Sequence, residues 1–460
     1  YGDHRDLHRL IRRQRQMCIR DRAYRDYVPM TIIAGDVPTY SRSSLAVEEI
    51  DLKSVFKPIC KDIICIDDNR DLLSVKRLIE NSVKPPRRPV FIDFPLDQQE
   101  AEMDSLKNQI KEVTEEEKTE SLTDKAREAA KLLESSKKPL ILIGNGCIEV
   151  HDVIARFAEQ YHIPIAYTLM SWCRIESKPR VSVGFCGIRG FKMANQALIE
   201  CDFLLALGAR LAETTIAYGL GENSSIVQVL VEDHFHSKAD LKVKSTCEDF
   251  IKALIEQYHG DRKSFWVKRV DEPSYKSKTF NSIKRLLDAA RGSILSLDMG
   301  DSSMWALEAI KHGWQGLILY PGGLATMGFS ISAALGAQLA KPNRKVIAIT
   351  GDGGALMSLP ALHTISKLKL PIMIVVFNNE VYGMVRGKQL RDYGLTSDVE
   401  LNFNSFEDLA KAVGIEYSEI KDESEIDRLM YKCLKEPILV EVKVEIDDRP
   451  PTPKKLFPKS

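Results

Sequence analysis

The sequence has no net charge: Lys+Arg and Asp+Glu are both 65, so there is no global field to draw in nucleic acid or an anionic membrane. It also lacks a long apolar run. The longest, Pro371–Phe377, falls far short of the ~18 residues of a membrane span. The nine cysteines form no CxxC pair and no Cys/His cluster at zinc spacing, which fits reduced thiols in a cytoplasmic compartment. No GxSxG elbow marks a serine hydrolase, and His234 and His236 read as solvated neighbours, not ligands. Short repeats and low-complexity tracts are absent too. What remains is the composition of a globular protein, 44% hydrophobic and 28% charged, over 460 residues, enough for two to four domains.

The first 22 residues stand apart. They carry seven Arg and no Lys, and the first Lys is Lys53. The stretch 12–22 resembles a translated sequencing adapter, so 1–22 is set aside as such an artefact or a disordered arm. From Pro29 onward apolar strand-like runs alternate with helical patterns. The first block, 23–100, has strands at Pro29–Gly35 and Pro89–Pro95 around a helix at Asn69–Ser82. A charged linker covers 101–122. The second block, 123–260, has strands at Pro139–Gly144, Cys201–Leu207 and Ile226–Val231, with a helix at Val150–Tyr161. The third, 275–447, has strands at Ile294–Leu297, Lys345–Thr350, Pro371–Phe377 and Ile438–Val444, a helix at Phe329–Ala340, and a tail over 448–460. This alternation predicts an α/β protein of three units with mostly parallel sheets.

The chemistry concentrates in the third block. Strand Lys345–Thr350 runs into Gly351-Asp352-Gly353-Gly354, read as a loop whose glycines let backbone N–H groups approach an anion. The next strand ends in Asn378-Asn379, and the intervening Ala355–Leu370 is long enough for one crossover helix. Such a crossover brings both strand ends to one edge of the sheet, where Asp352 and Asn379 can face one ion. Carboxylate, amide and carbonyl oxygens suit octahedral Mg²⁺, which completes its shell with phosphate oxygens and water. The expected ligand is a diphosphate held through Mg²⁺. In the second block Gly144-Asn-Gly146 offers only a lone GxG for a nucleotide.

These residues resemble the GDG…NN motif of thiamine-diphosphate-dependent enzymes. Gly322-Gly-Leu-Ala-Thr-Met-Gly-Phe329 is similar to the GGLGxMGFG element of acetolactate synthases and their relatives, and Asp298–Trp305 to the family's diphosphate-side loop. Phe91–Asp97 resembles the VDVPxD end of its pyrimidine-binding domain, while Gly184–Gly190 and Leu207–Arg210 match its central domain. The resemblance implies thiamine-diphosphate-enzyme architecture and a lyase or carboligase acting on a 2-oxo acid. It implies Mg²⁺ bound by the Asp352 and Asn379 side chains and the Val381 carbonyl. The cofactor would be held by Gly300, Asp301, Ser302, Gly351, Gly353, Gly354 and Asn379, with Met327 under its bend, the Ala325 carbonyl taking a hydrogen bond from its amine, and Met384 on the substrate side. Because the family places the cofactor between subunits, a homodimer or homotetramer is implied.

The family's activating glutamate precedes the strand that here is Thr31–Ala34. Residues 23–100 match about half of a pyrimidine-binding domain, so the first domain is expected to be incomplete, the catalytic residue unassigned and this chain inactive alone. Lys388 stands where acetolactate synthases have a tryptophan shaping the pocket for the second 2-oxo acid. Leu211-Ala-Glu-Thr214 replaces their FDDR, which weakens the case for FAD while Gly144–Gly146 keeps it open. Two alternatives stand beside this reading: a non-catalytic cofactor-binding relative, and a nucleotide-binding oxidoreductase built on Gly144–Gly146.

Overall fold

The computed structural model describes residues 20–42, 49–67, 71–101, 122–433 and 435–451. Most of the 1–22 arm, nearly all of the 101–122 linker and most of the 448–460 tail lie outside these residues; 20–25 is helical. The chain forms two compact units, one of residues 1–120 with 322–324, the other of 121–321 with 325–460.

The first unit carries a parallel three-stranded sheet in the order β1-β3-β2, from β1 (Thr31–Asp36), β2 (Asp62–Cys65) and β3 (Val90–Pro95). The middle strand is the apolar one, with Val90, Phe91 and Ile92 buried. The helix between β2 and β3 is Leu72–Val83; the first two residues of the expected helix, 69 and 70, lie outside the described residues.

The second unit holds two parallel six-stranded sheets. One has the order β6-β5-β4-β7-β8-β9, from β4 (Pro139–Ile143), β5 (Ile165–Tyr167), β6 (Ser182–Phe185), β7 (Phe203–Leu207), β8 (Ser225–Leu230) and β9 (Leu241–Lys244). The other has the order β11-β10-β12-β13-β15-β14, from β10 (Ile294–Leu297), β11 (Leu317–Leu319), β12 (Val346–Gly351), β13 (Ile372–Asn378), β14 (Glu416–Glu419) and β15 (Ile438–Lys443). Central strands β4, β7, β12 and β13 are apolar, except for Thr350, Gly351 and Asn378 where β12 and β13 end, because helices cover both faces of a parallel sheet. One buried apolar cluster runs through both sheets, including Leu133, Phe157, Leu205, Phe280, Trp305, Val375 and Val440, which is why two sequence blocks form one unit.

Two local expectations are corrected. Gly351–Gly354 is not a loop: Gly351 is the N-cap of a short helix, Asp352–Leu356. The single crossover helix is instead two pieces, that one and Leu359–Lys367, broken at Met357-Ser358 where Pro360 can only enter a first helical turn. Among the described residues no helix is long and apolar enough to cross a membrane.

Candidate functional site

From β10 the chain crosses to β11 on one side of the sheet, then returns to β12 on the other. The direction of winding therefore reverses between β10 and β12, and ligands of open α/β sheets bind outside the carboxyl ends of the strands at such a point. Strands β10, β12 and β13 are consecutive neighbours, so Asp298–Ser302, Gly351–Gly354 and Asn378–Val381 emerge side by side.

Asp298 organises the first two segments. It is fully buried and accepts from Met299 N–H and Gly328 N–H on Oδ1, both at 2.8 Å, and from Ser330 N–H on Oδ2 at 3.0 Å. It thereby caps the helix Phe329–Ala340, whose N-cap Gly328 is left-handed at φ 73°. A Cβ on Gly354 would stand 3.1 Å from Asp298 Oδ1, so the glycine admits this close approach. Burial raises the Asp298 carboxyl above its ordinary range. Ser358 Oγ ties the same pieces together, donating to the carbonyls of Gly328 at 3.0 Å and Gly354 at 3.2 Å. Neither Asp298 nor Ser358 was expected to matter individually. A lone acid at a strand end just before a glycine was the available signal for Asp298.

Asp352 begins the helix after β12 and is buried. Its Oδ1 accepts from Gly353 N–H at 2.7 Å, and its Oδ2 from Asn379 N–H at 3.1 Å and Glu380 N–H at 2.7 Å. Burial pushes its pKa up to about 6, with those three N–H groups pulling the other way. The turn beyond β13 is strained: Glu380 has φ 64°, and Asn379 Oδ1 accepts from Val381 N–H at 3.3 Å. Val381 bridges Glu400 as a non-hydrogen-bonded antiparallel pair, through Tyr382 N–H to Val399 and Leu401 N–H to Glu380. Such a pair leaves Val381's own carbonyl facing away from the ladder. The structure thus brings Asp352, Asn379 and Val381 together.

Asp301 and Asn379 converge on Gly383. A Cβ there would lie 2.5 Å from Asp301 Oδ2 and 3.0 Å from Asn379 Nδ2. Asp301 Oδ2 and Ser302 Oγ are buried with no hydrogen-bond partner among the described residues, at the start of the helix Asp301–Ala309 whose N-terminal dipole favours an anion. Burial raises Asp301 to about 6, against the pull of Arg449 and Arg189. Gly300 and Gly351 present open backbone to this edge, whereas Gly353 is covered by the Tyr382 ring and by the methyl group of Met327. Ala325, where the related element has glycine, is left-handed at φ 53°. Met384 is exposed on the helix Gly383–Tyr393, and Lys388 follows one turn later, also exposed.

The residues present fit a metal-bound diphosphate. Unsatisfied buried oxygens lie beside two open glycines, and a carboxylate, an amide oxygen and a backbone carbonyl form a hard donor set suited to Mg²⁺. They do not fit a dinucleotide at Gly144–Gly146. Gly144, Gly146 and Cys147 N–H are already spent on the carbonyls of Leu207, Gly208 and Gly144. A Cβ on Gly144 would overlap the Gly208 carbonyl, so these glycines serve the contact between two backbones. Those three N–H groups are therefore not available to the phosphates of a nucleotide.

Comparison with known proteins agrees with the geometry. Residues 298–442 match the thiamine pyrophosphate enzyme C-terminal TPP binding domain, thiamine pyrophosphate being thiamine diphosphate, and 126–254 match the thiamine pyrophosphate enzyme central domain. A probable acetolactate synthase large subunit of Methanocaldococcus jannaschii is 31% identical over 92% of this chain and 78% of its own length. The chain belongs to the thiamine-diphosphate-dependent, acetolactate synthase-like family. The acetolactate synthase large subunits of Parasynechococcus marenigrum and Lactococcus lactis are similar at 30% and 28% identity, over 92% and 91% of this chain and 73% and 77% of theirs. Apart from 322–324, both matched domains fall in the second unit, and the C-terminal match begins at Asp298 itself.

Proposed function

We propose that this member of the family is a Mg²⁺-dependent lyase or carboligase acting on a 2-oxo acid. The observation that carries the reading is the meeting of the Asp352 carboxylate with the Asn379–Val381 turn, beside the unsatisfied Asp301 and Ser302 oxygens. Thiamine diphosphate, when bound, would supply a nucleophilic carbon and an electron sink for chemistry at a 2-oxo acid's carbonyl. Asp352, Asn379 and Val381 would hold the metal. Gly300, Asp301, Ser302, Gly351 and Gly354 would hold the diphosphate, while Gly353, covered by Tyr382 and with its N–H on Asp352, would serve the metal-binding turn, with Met327 and the Ala325 carbonyl set toward the rest of the cofactor. The half-open helix Gly383–Tyr393, starting with Met384, would border the substrate.

The chain is also proposed to self-associate as a homodimer or homotetramer. Support comes from the apolar residues exposed along and just beyond that helix, Val385 at 48%, Tyr393 at 75% and Leu395 at 63%. Light scattering on the purified chain tests this, and a strictly monomeric mass refutes it. A cytoplasmic site is supported by the eight described cysteines, all free.

Calorimetric titration of thiamine diphosphate tests the main reading. Binding is expected with Mg²⁺, and its loss with EDTA or with Asp352→Ala. Binding that ignores both the metal and Asp352 would overturn the reading.

A further inference from the structure

Glu441 is a carboxylate on the inner strand β15, among apolar residues save for the exposed Lys443 at the strand's end, and is only 4% exposed. A buried charge is costly unless its oxygens are satisfied. Among the described residues no ion pair satisfies it; two neutral donors do. Asn378 Nδ2 donates to Oε1 at 2.7 Å, and Tyr417 Oη–H donates to Oε2 at 2.6 Å. Glu441 is in register with Glu419 of β14 and Val376 of β13, so it reaches Asn378 at the end of the neighbouring strand, where the Asn379–Val381 turn begins.

A carboxylate only accepts, whereas a carboxamide presents a donor on one side and an acceptor on the other. Once Asn378 gives its NH₂ to Glu441, its Oδ1 must point away, and there it accepts from Glu380 N–H at 3.1 Å. The same N–H reaches Asp352 Oδ2 at 2.7 Å. The link thus runs from Tyr417 through Glu441 and Asn378 to the Glu380 amide and Asp352. Glu380 is the left-handed residue of the turn, a conformation that is strained for a non-glycine residue and persists only where the surroundings impose it.

We infer that Glu441 is a positioning residue for the metal-binding turn: it fixes the Asn378 carboxamide, which holds Glu380 in the left-handed conformation that presents Asn379 and Val381. The inference rests on the function proposed above for Asp352 and Asn379.

Two readouts on the full chain test it, Mn²⁺ binding by electron paramagnetic resonance with thiamine diphosphate present, and backbone hydrogen exchange over 378–382 without metal or cofactor. Mn²⁺ serves as the probe because it takes the same oxygen ligands as Mg²⁺. Glu441→Leu is expected to weaken Mn²⁺ binding by about 10-fold or more, the loss typical when a metal ligand's support is removed. Exchange at Glu380 should accelerate in the same variant. Glu441→Gln, whose oxygen can still accept from Asn378, is expected to restore most of the affinity. Combining Glu441→Leu with Asn378→Ser should weaken binding no further than Asn378→Ser alone. If Glu441→Leu does not fold, Asn378→Ser cuts the link at its middle and carries the same two expectations.

Wild-type Mn²⁺ affinity and unchanged exchange in Glu441→Leu, or in Asn378→Ser, would overturn the inference while leaving the metal site intact. Full additivity in the double variant would overturn it too. Failure of the proposed function looks different: Mn²⁺ binding absent from the wild type, or indifferent to Asp352→Ala. That result removes the role toward a metal, and unchanged exchange in Glu441→Leu would then remove the positioning as well.

Discussion

Replacing Asp298 tests whether one carboxylate holds the candidate site together. Its oxygens accept three backbone N–H groups, from Met299, Gly328 and Ser330, in a fully buried position. Hydrogen bonds to a charged acceptor contribute about 1.5–3 kcal/mol each, and a buried donor left unpaired costs about 1–3 kcal/mol. The desolvation that raises this acid's pKa offsets part of that sum. Asp298→Ala should therefore destabilise the chain by about 3–5 kcal/mol, the range for breaking a buried charged arrangement. Asp298→Asn keeps one oxygen and turns an NH₂ toward the donors on the other side, so it should cost about 1–3 kcal/mol. Urea unfolding followed by tryptophan fluorescence measures both, because Trp305 is buried on the helix that follows the Asp298 loop. An Asp298→Ala midpoint corresponding to less than about 0.5 kcal/mol of lost stability would refute the reasoning.

Asp301 gives a pH test in the chain without metal or cofactor. Its folded pKa, near 6, lies above an ordinary 3.8, so between those values the folded state binds more protons than the unfolded one, and this group's contribution to stability falls as pH rises. Asp301→Asn should then match the wild type near pH 4 and exceed it by about 2–3 kcal/mol above pH 6; a pH-independent difference in thermal unfolding would contradict this. Glu308 is buried among Lys311 at 2.7 Å, Tyr275 Oη at 3.1 Å and Arg189 at 3.3 Å. Glu308→Ala leaves two cations without it and should cost about 3–5 kcal/mol by urea unfolding, with a loss below 1 kcal/mol counting against the arrangement. Gly144→Ala should cost about 1–3 kcal/mol through overlap with Gly208 and leave thiamine diphosphate affinity unchanged; an affinity loss in calorimetry would return that loop to ligand binding.

What could be read from the chain alone was whatever repeats locally. Strands β10, β12 and β13 are mostly apolar and buried on both faces, so composition marks them, and the helix Phe329–Ala340 has the bounds its pattern suggested. Edge strands β9 and β14 were missed because an edge is half solvated: β9 reads Leu-Lys-Val-Lys and β14 Glu-Tyr-Ser-Glu, neither an apolar run, while β5 and β11 are only three residues long. The family motifs drew attention to Asp352, Asn379 and Asp301 because they sit in contiguous signatures.

Only the tertiary structure decided the rest. Local propensity argues against a helix start at Gly353-Gly354, yet packing under Asp298, Thr350 and Tyr382 imposes one. The pairing of Gly144 and Gly146 with Gly208, and the link from Glu441 through Asn378 to Glu380, join residues far apart in sequence. Neither leaves a local pattern, because a close approach or a buried hydrogen bond depends on which strands become neighbours. Sequence periodicity specifies which face of an element is buried, and the order of the strands in the sheet specifies what it is buried against.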